Sequence, residues 1–264
     1  MSKPRLRTSL LLIGLMVVLA LAAACAAPPA GTTPTEAPAT AVPPTEVPSP
    51  EPTEGIEAPP AAATPSAVQP ERPTDGSRPL ADVPVEQRSG YFAQAPEMAI
   101  DPDTIYLATI KTAKGDIVVE LYGQEAPIAV NNFVALAEMG FYDAMPLYPV
   151  GPPQAVLTGD PTGDGQGSPG YDLPAEIGIA NLAGAMGYLR FPDQVNPERL
   201  SNGSQVYITL EAVPDIDGVY AAFGQVIEGL DVLGQVEMGD VIETIAISEA
   251  AERVAPTPAP PTPT

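Results

Sequence analysis

Between residues 103 and 250 the chain alternates hydrophobic and polar positions in short runs that change period several times. Residues 106–112 and 116–121 are β-rich, and in the second run Ile117, Val119 and Leu121 alternate with Asp116, Val118 and Glu120, the period of two of a half-buried strand. Ala113-Lys114-Gly115 between them is a tight turn whose Gly supplies a positive φ, so the two runs are expected to form a hairpin. After Ala126-Pro127 the period changes. Val130, Phe133, Val134 and Ala137 recur at helical spacing, with Pro in the first turn and Gly140 as the stop. Residues 228–236 carry a second helical pattern weakened by Gly229 and Gly234, and Val241, Ile245 and Ile247 belong to a closing strand. Between these helices a polar turn at 202–205 runs into the β-branched and aromatic run 206–210, and the loop 159–171 holds five Gly and two Pro, too many for helix or strand. Many short strands, Gly-rich links and only two helices predict a mostly β domain, a closed antiparallel barrel capped by helices.

Composition changes the picture outside this window. Of 264 residues, 35 are Pro, more than a folded core tolerates throughout, so part of the chain is expected to be unfolded. Residues 26–102 are dominated by Pro, Thr, Ala and Glu and read as a disordered tether; residues 251–264 read as a disordered tail of the same kind. At the start, Lys3, Arg5 and Arg7 precede an apolar run at 10–20 and the small residues Ala22-Ala23-Ala24, so residues 1–25 read as a secretory signal. Cys25, the single cysteine, stands where bacterial lipoprotein precursors are cleaved and lipidated; an ordinary signal with an incidental Cys is the alternative. These readings predict an extracytoplasmic protein, lipid-anchored to the bacterial membrane through Cys25, with no intramolecular disulfide.

Charge and missing residue types exclude several function classes. Eleven Lys and Arg against 33 Asp and Glu give a formal charge of −22, which argues against nucleic acid as a partner, because phosphate contacts need cations. With no His and one Cys, Ser/His/Asp and Cys/His catalytic arrangements are excluded. Asp160, Asp164 and Asp172 in the Gly-rich loop, with Asp215 and Asp217 later, offer oxygen ligands, but their spacing fits no EF-hand loop, and no metal or cofactor is expected.

Several stretches in their order resemble the cyclophilins. These are Lys111-Thr-Ala-Lys-Gly-Asp-Ile-Val-Val-Glu-Leu-Tyr122, Ala126-Pro-Ile-Ala-Val-Asn-Asn-Phe-Val-Ala-Leu-Ala137, Gly140-Phe-Tyr-Asp143, the 159–171 loop, Asn202-Gly-Ser-Gln-Val-Tyr-Ile-Thr209, Asp217-Gly218, Phe223-Gly-Gln-Val226 and Glu228-Gly-Leu-Asp-Val-Leu233. The resemblance spans 106–247 and implies an eight-stranded barrel closed by two helices. It also implies peptidyl-prolyl cis/trans isomerisation without nucleophile, metal or cofactor. The twist of an X-Pro amide crosses roughly 18–20 kcal/mol. In the family this is understood to be eased by an Arg donor above an apolar ring pocket, a preorganised stabilisation of the twisted state.

This chain departs from the family at that pocket. The resemblance puts Pro149 at the catalytic Arg, Tyr148 at the preceding His, Gln154 at the pocket Phe and Leu157 at the catalytic-site Gln. Gln205 matches the strand Gln, Tyr207 replaces the ring-gripping Phe, Ile216 stands for Leu, Tyr220 for His and Asp215 for a variable aromatic. Tyr188-Leu189-Arg190 takes the segment lining the substrate groove. The expected site is therefore Gln205 and Tyr207 as catalytic residues, with Tyr188, Leu189, Leu157, Ile216 and Tyr220 binding substrate. Arg190 is a candidate surrogate donor, weighed against an exposed Arg paired with a nearby carboxylate. Three functions follow: an isomerase with weakened or lost activity on extracytoplasmic clients, a non-catalytic module binding Pro-containing peptides, and a structural display domain. A monomer is expected.

Overall fold

The computed structural model describes residues 69–152 and 154–254. The expected signal with Cys25, most of the expected Pro-rich tether and the expected tail beyond 254 lie outside the described residues. Strands β1 (Ile105–Thr112) and β2 (Gly115–Leu121) form the expected hairpin, registered from Tyr106 opposite Leu121 to Thr112 opposite Gly115. Tyr106, Ala108, Ile110 and Thr112 are the buried alternate positions of β1, and the turn's Gly115 takes a φ of 136°. Helix α1 (Pro127–Glu138) follows with Pro at its start, and Gly140 ends it at a φ of 79°. No side chain of the capping residue satisfies its first amides; Glu176 does, accepting from Ile128 N at 3.1 Å and Ala129 N at 2.8 Å. Burial pushes that carboxyl up in pKa and the two amides pull it back.

Six further strands complete one antiparallel sheet: β3 (Tyr148–Val150), β4 (Ala155–Thr158), β6 (Ala185–Tyr188), β8 (Val206–Thr209), β9 (Ala222–Glu228) and β10 (Thr244–Ala250). Its order is β10-β1-β2-β9-β6-β8-β4-β3, and a small second ladder joins β5 (Asp172–Leu173) to β7 (Ser201–Asn202). The domain is mostly β, one large antiparallel sheet with two helices. Its outer strands do not pair along their lengths. Instead the segments leading into them meet at a bridge between Pro146 and Val241, flanked by Leu147 N to Asp240 O at 2.8 Å and Ile242 N to Met145 O at 2.9 Å. Helix α2 is only Leu230–Leu233, shorter than the expected 228–236. Gly229 before it has a φ of 82°, and a Cβ there would meet Asp116 O at 2.3 Å, so the helix cannot begin earlier. Among the described residues no helix is long and apolar enough to cross a membrane.

The core lies between the sheet and α1. Phe133 packs against Phe223 with centroids 5.6 Å apart and against Tyr142 at 5.2 Å, while Tyr188 stacks on Phe223 at 4.6 Å. All four are fully buried.

One expectation is corrected here. The segment before residue 103 was expected to be unfolded, yet from 69 onward it is an arm laid on the domain, and Leu80, Phe92 and Ile100 join the core. Its anchors are arginines. Arg72 makes a two-pronged pair with Glu138 at 2.7 and 2.8 Å, and Arg78 pairs with Asp143 and donates to Ile245 O at 3.2 Å. Arg88, 1% exposed, donates to the carbonyls of Val83, Phe141 and Asp143 at 2.9, 2.8 and 2.5 Å. The arm's apolar residues are too sparse among Pro, Glu and Arg to show a period, so composition hid a segment held by guanidinium-to-carbonyl bonds. Likewise residues 251–254, expected in the tail, are docked: Arg253 pairs with Glu125 at 2.9 Å and Val254 N donates to Glu120 at 2.7 Å.

Candidate functional site

The groove is built on three neighbouring strands. Register places Tyr148 of β3 opposite Leu157 of β4, Leu157 opposite Tyr207 of β8, and Tyr207 opposite Gly187 of β6. Directly opposed residues share a sheet face, so these four form one row across it. Two adjoining cavities lie on that face. The larger, about 300 Å³, is walled by Leu157, Leu189, Tyr207, Val213, Ile216 and Tyr220. The smaller, about 150 Å³, is lined by Tyr148, Thr158, Asp160 and Gln205, and Leu157 and Leu189 form the partition shared with the larger one. Among the described residues lining either cavity there is no Lys or Arg.

Tyr207 is 3% exposed, yet it stands beside the hollow rather than in a filled core. Its extra hydroxyl needs a buried partner. It donates to Asn181 Oδ1 at 2.6 Å, and Asn181 in turn donates from its backbone N and Nδ2 to Asp217 Oδ1 at 2.7 and 3.0 Å. Room for the hydroxyl comes from Gly187, where a Cβ would fall 2.3 Å from it. Burial first, then Tyr220 and Asp217 nearby, push that hydroxyl well above the ordinary phenol value, so it stays protonated and a donor. Tyr220 meets the Tyr207 ring edge-on, centroids 6.0 Å apart at 82°. Ile216 arrives on a short 3₁₀ turn, Pro214–Ile216.

The other expected site residues divide clearly. Gln205 lines the smaller cavity with its amide donating to Gly167 O at 2.7 Å. Tyr188 is not in the groove: it is fully buried, stacked on Phe223, and its hydroxyl accepts from Asn132 Nδ2 at 2.7 Å, so the expected substrate role is corrected to a core one. The Arg190 side chain is 3% exposed, its guanidinium held by Asp193 and 5.8 Å from the centre of the Tyr220 ring, and it lines neither cavity. Its Nε is buried without a partner among the described residues. Arg199, half exposed, takes the other oxygen of Asp193 at 2.8 Å. Pro149 stands opposite Val156 and lines neither cavity; its neighbours Tyr148 and Val150 do. Asp160 organises the Gly-rich loop, accepting from Thr162 N at 3.0 Å, Gly165 N at 2.5 Å and Gly167 N at 3.0 Å. Among the described residues no group of three or more acidic or Cys side chains is placed to hold a metal.

Sequence reasoning missed Asn181, Val213 and Thr209 as parts of the site. One signal was available for the first: a Tyr where a Phe is expected on a buried strand requires a polar partner and a small neighbour.

The model of the cyclophilin-type peptidyl-prolyl cis-trans isomerase family matches residues 107–254. The chain belongs to that family. It is 35% identical over 145 residues to a peptidyl-prolyl cis-trans isomerase of Helicobacter pylori, covering 54% of this chain and 87% of that one. A peptidyl-prolyl cis-trans isomerase of Synechococcus elongatus is 36% identical over 143 residues, covering 53% of this chain and 94% of its own. A solved cyclophilin-type isomerase of Cryptosporidium parvum aligns with a TM-score of 0.49 and 26% identity, over 55% of this chain and 98% of that one. The cyclophilin-type match begins beyond the arm, so residues 69–106 and their three anchoring arginines precede the stretch the family model recognises.

Proposed function

We propose that this cyclophilin-type domain binds Pro-containing segments of extracytoplasmic client proteins in its groove and isomerises them weakly, with the chain held at a membrane by lipid on Cys25. The observation that carries the reading is an apolar hollow of about 300 Å³ beside Tyr207 whose lining holds no cation. Such a wall retains the affinity of an apolar ring for a dry surface. The missing guanidinium removes the main donor for an amide that is losing its resonance, and one preorganised donor is worth about 10²–10³ in rate. Arg190, paired with Asp193 and lining neither cavity, supports no strong replacement. The same observation favours the second reading, a peptide-binding module without turnover.

The two are separated by exchange NMR on an Ala-Pro peptide mixed with the full-length chain. The peptide is expected to titrate into the groove and to show slow exchange between its cis and trans signals, and Tyr207→Ala is expected to abolish both effects. Titration with no added exchange selects the module reading. A peptide that leaves the resonances of Leu189, Tyr207 and Ile216 unmoved rejects both.

The anchor is supported by the single cysteine following Ala22-Ala23-Ala24 and an apolar run. Metabolic labelling with a radioactive fatty acid in a bacterial host is expected to mark the wild-type chain and not Cys25→Ser, with the variant moving to the soluble fraction. Equal membrane retention of both would eliminate lipid as the tether.

A further inference from the structure

We infer that the hydroxyl of Tyr148 is a peptide-binding donor of this groove, contacting the amide carbonyl that precedes a proline seated beside Tyr207. The inference rests on the peptide-binding reading above and adds to it a residue that neither the family match nor the chemistry of a ring pocket assigns.

Three features of the site lead to it. The first is placement. Tyr148, Leu157 and Tyr207 stand in one row across β3, β4 and β8, and paired residues on adjacent strands have Cβ atoms about 5 Å apart. Two such steps separate the backbone positions of Tyr148 and Tyr207, and the Tyr148 side chain reaches into the smaller cavity, which shares the Leu157 and Leu189 partition with the larger one. The second is availability. Tyr148 is only part-buried, and its hydroxyl makes no hydrogen bond to any described residue. Five of the groove's other polar side chains are already engaged within the protein: Gln205 Nε2 with Gly167 O, Thr158 Oγ1 with Pro146 O, Thr209 Oγ1 with Leu182 O, Tyr207 Oη with Asn181, and Asp160 with its own loop. Tyr220, whose hydroxyl also makes no hydrogen bond to a described residue, belongs to the wall of the larger cavity, edge-on to Tyr207, and not to the smaller one. In the smaller cavity Tyr148 is thus the side-chain hydroxyl left to meet a ligand carbonyl. The third is need. A peptide carbonyl entering an apolar groove loses water, and leaving it unpaired costs about 1–3 kcal/mol. A neutral phenol beside Leu157 meets that need without a cation.

The Gly-rich loop fixes the position of this hydroxyl. At Gly163, with a φ of 72°, a Cβ would approach Tyr148 Oη to 3.1 Å, so the loop passes close over the end of the ring and confines it to the smaller cavity. The contact is a binding contact to the ground-state carbonyl. As the amide twists the carbonyl swings, and a neutral donor follows it less strongly than a guanidinium held by two bonds. Weak turnover with real affinity is the consequence.

The test compares the full-length wild-type chain with Tyr148→Phe, which removes one oxygen and leaves the ring. Affinity for an Ala-Pro peptide is read by isothermal titration, and folding by thermal melting. Tyr148→Phe is expected to bind about fivefold more weakly, within the range of one neutral hydrogen bond, with an unchanged melting temperature. A peptide with Pro replaced by Gly is expected to lose affinity for both proteins while the fivefold difference between them persists, since the hydroxyl reads the carbonyl and not the ring. Equal affinity of wild type and Tyr148→Phe for the Ala-Pro peptide overturns the inference and leaves the groove reading standing. A wild-type chain that binds no prolyl peptide overturns both.

Discussion

Replacing Arg88 by Ala is expected to lower the stability of the folded domain by about 3 kcal/mol, because the carbonyls it serves stay buried when the guanidinium goes. The side chain is 1% exposed and donates to Val83, Phe141 and Asp143, tying the arm to the turn that follows α1. Burial alone lowers its pKa, opposed by the carboxylates of Asp143 and Glu86, so the site accepts the charge only because those acceptors surround it. Arg88→Lys is expected to be nearly as damaging, since an ammonium lacks the planar fork that reaches acceptors on two sides. For a domain of this size each kcal/mol moves the melting temperature by about 2–4 °C, so a fall of about 6–12 °C is the measurable outcome. A shift under about 2 °C for Arg88→Ala, within the effect of an ordinary surface change, would mean that the arm is not anchored in this way.

The second large effect is expected at Gly187, which no polar chemistry marks. An added Cβ there would lie 2.3 Å from Tyr207 Oη, 2.5 Å from its Cζ and 2.8 Å from Ala221 O. The ring can swing, but the carbonyl belongs to the backbone and cannot follow, so Gly187→Ala is expected to cost about 2–3 kcal/mol, as overpacked cores do. Tyr207 lines the hollow, so a displaced ring is expected to move into it. Displacing it breaks the bond to Asn181 and fills the space a ligand needs, so prolyl-peptide affinity is expected to fall more than tenfold. Titration calorimetry and thermal melting on the same sample check both halves. Unchanged affinity would show that Tyr207 does not form the wall assigned to it.

The contrast between these positions shows what the sequence made legible. The alternation of Ile117, Val119 and Leu121 and the helical spacing of Val130, Phe133, Val134 and Ala137 specify β2 and α1, because each set of positions matches a face that is buried locally, although Glu120 between Val119 and Leu121 is buried as well. Tyr207, Ile216, Tyr220, Leu157 and Leu189 were legible as groove residues only through the family's motifs, since neither period nor composition marks a hollow. Tyr188 was misplaced because adjacent residues of a strand face opposite sides: with Gly187 opposite Tyr207 on the groove face, Tyr188 turns inward to Phe223 and Asn132. Arg190 is taken up by Asp193, three residues on, and does not line either cavity. The arm escaped altogether. Its fixing bonds join guanidinium groups to carbonyls and carboxylates more than fifty residues away, and no local pattern records such partners.

The arm also sets how a pull on the chain from the side of residue 69 is borne. Tension entering at residue 69 meets Arg72 with Glu138, then Arg78 with Asp143, then Arg88 with its carbonyls, one after another along the chain, before it reaches β1. Clasps loaded in sequence peel singly at modest force, whereas the ladder of β1 with β2 and β10 would have to shear as a unit. Such a pull would therefore open the outermost clasp first, and none of the three clasps is made to β3, β4 or β8, the strands that form the groove.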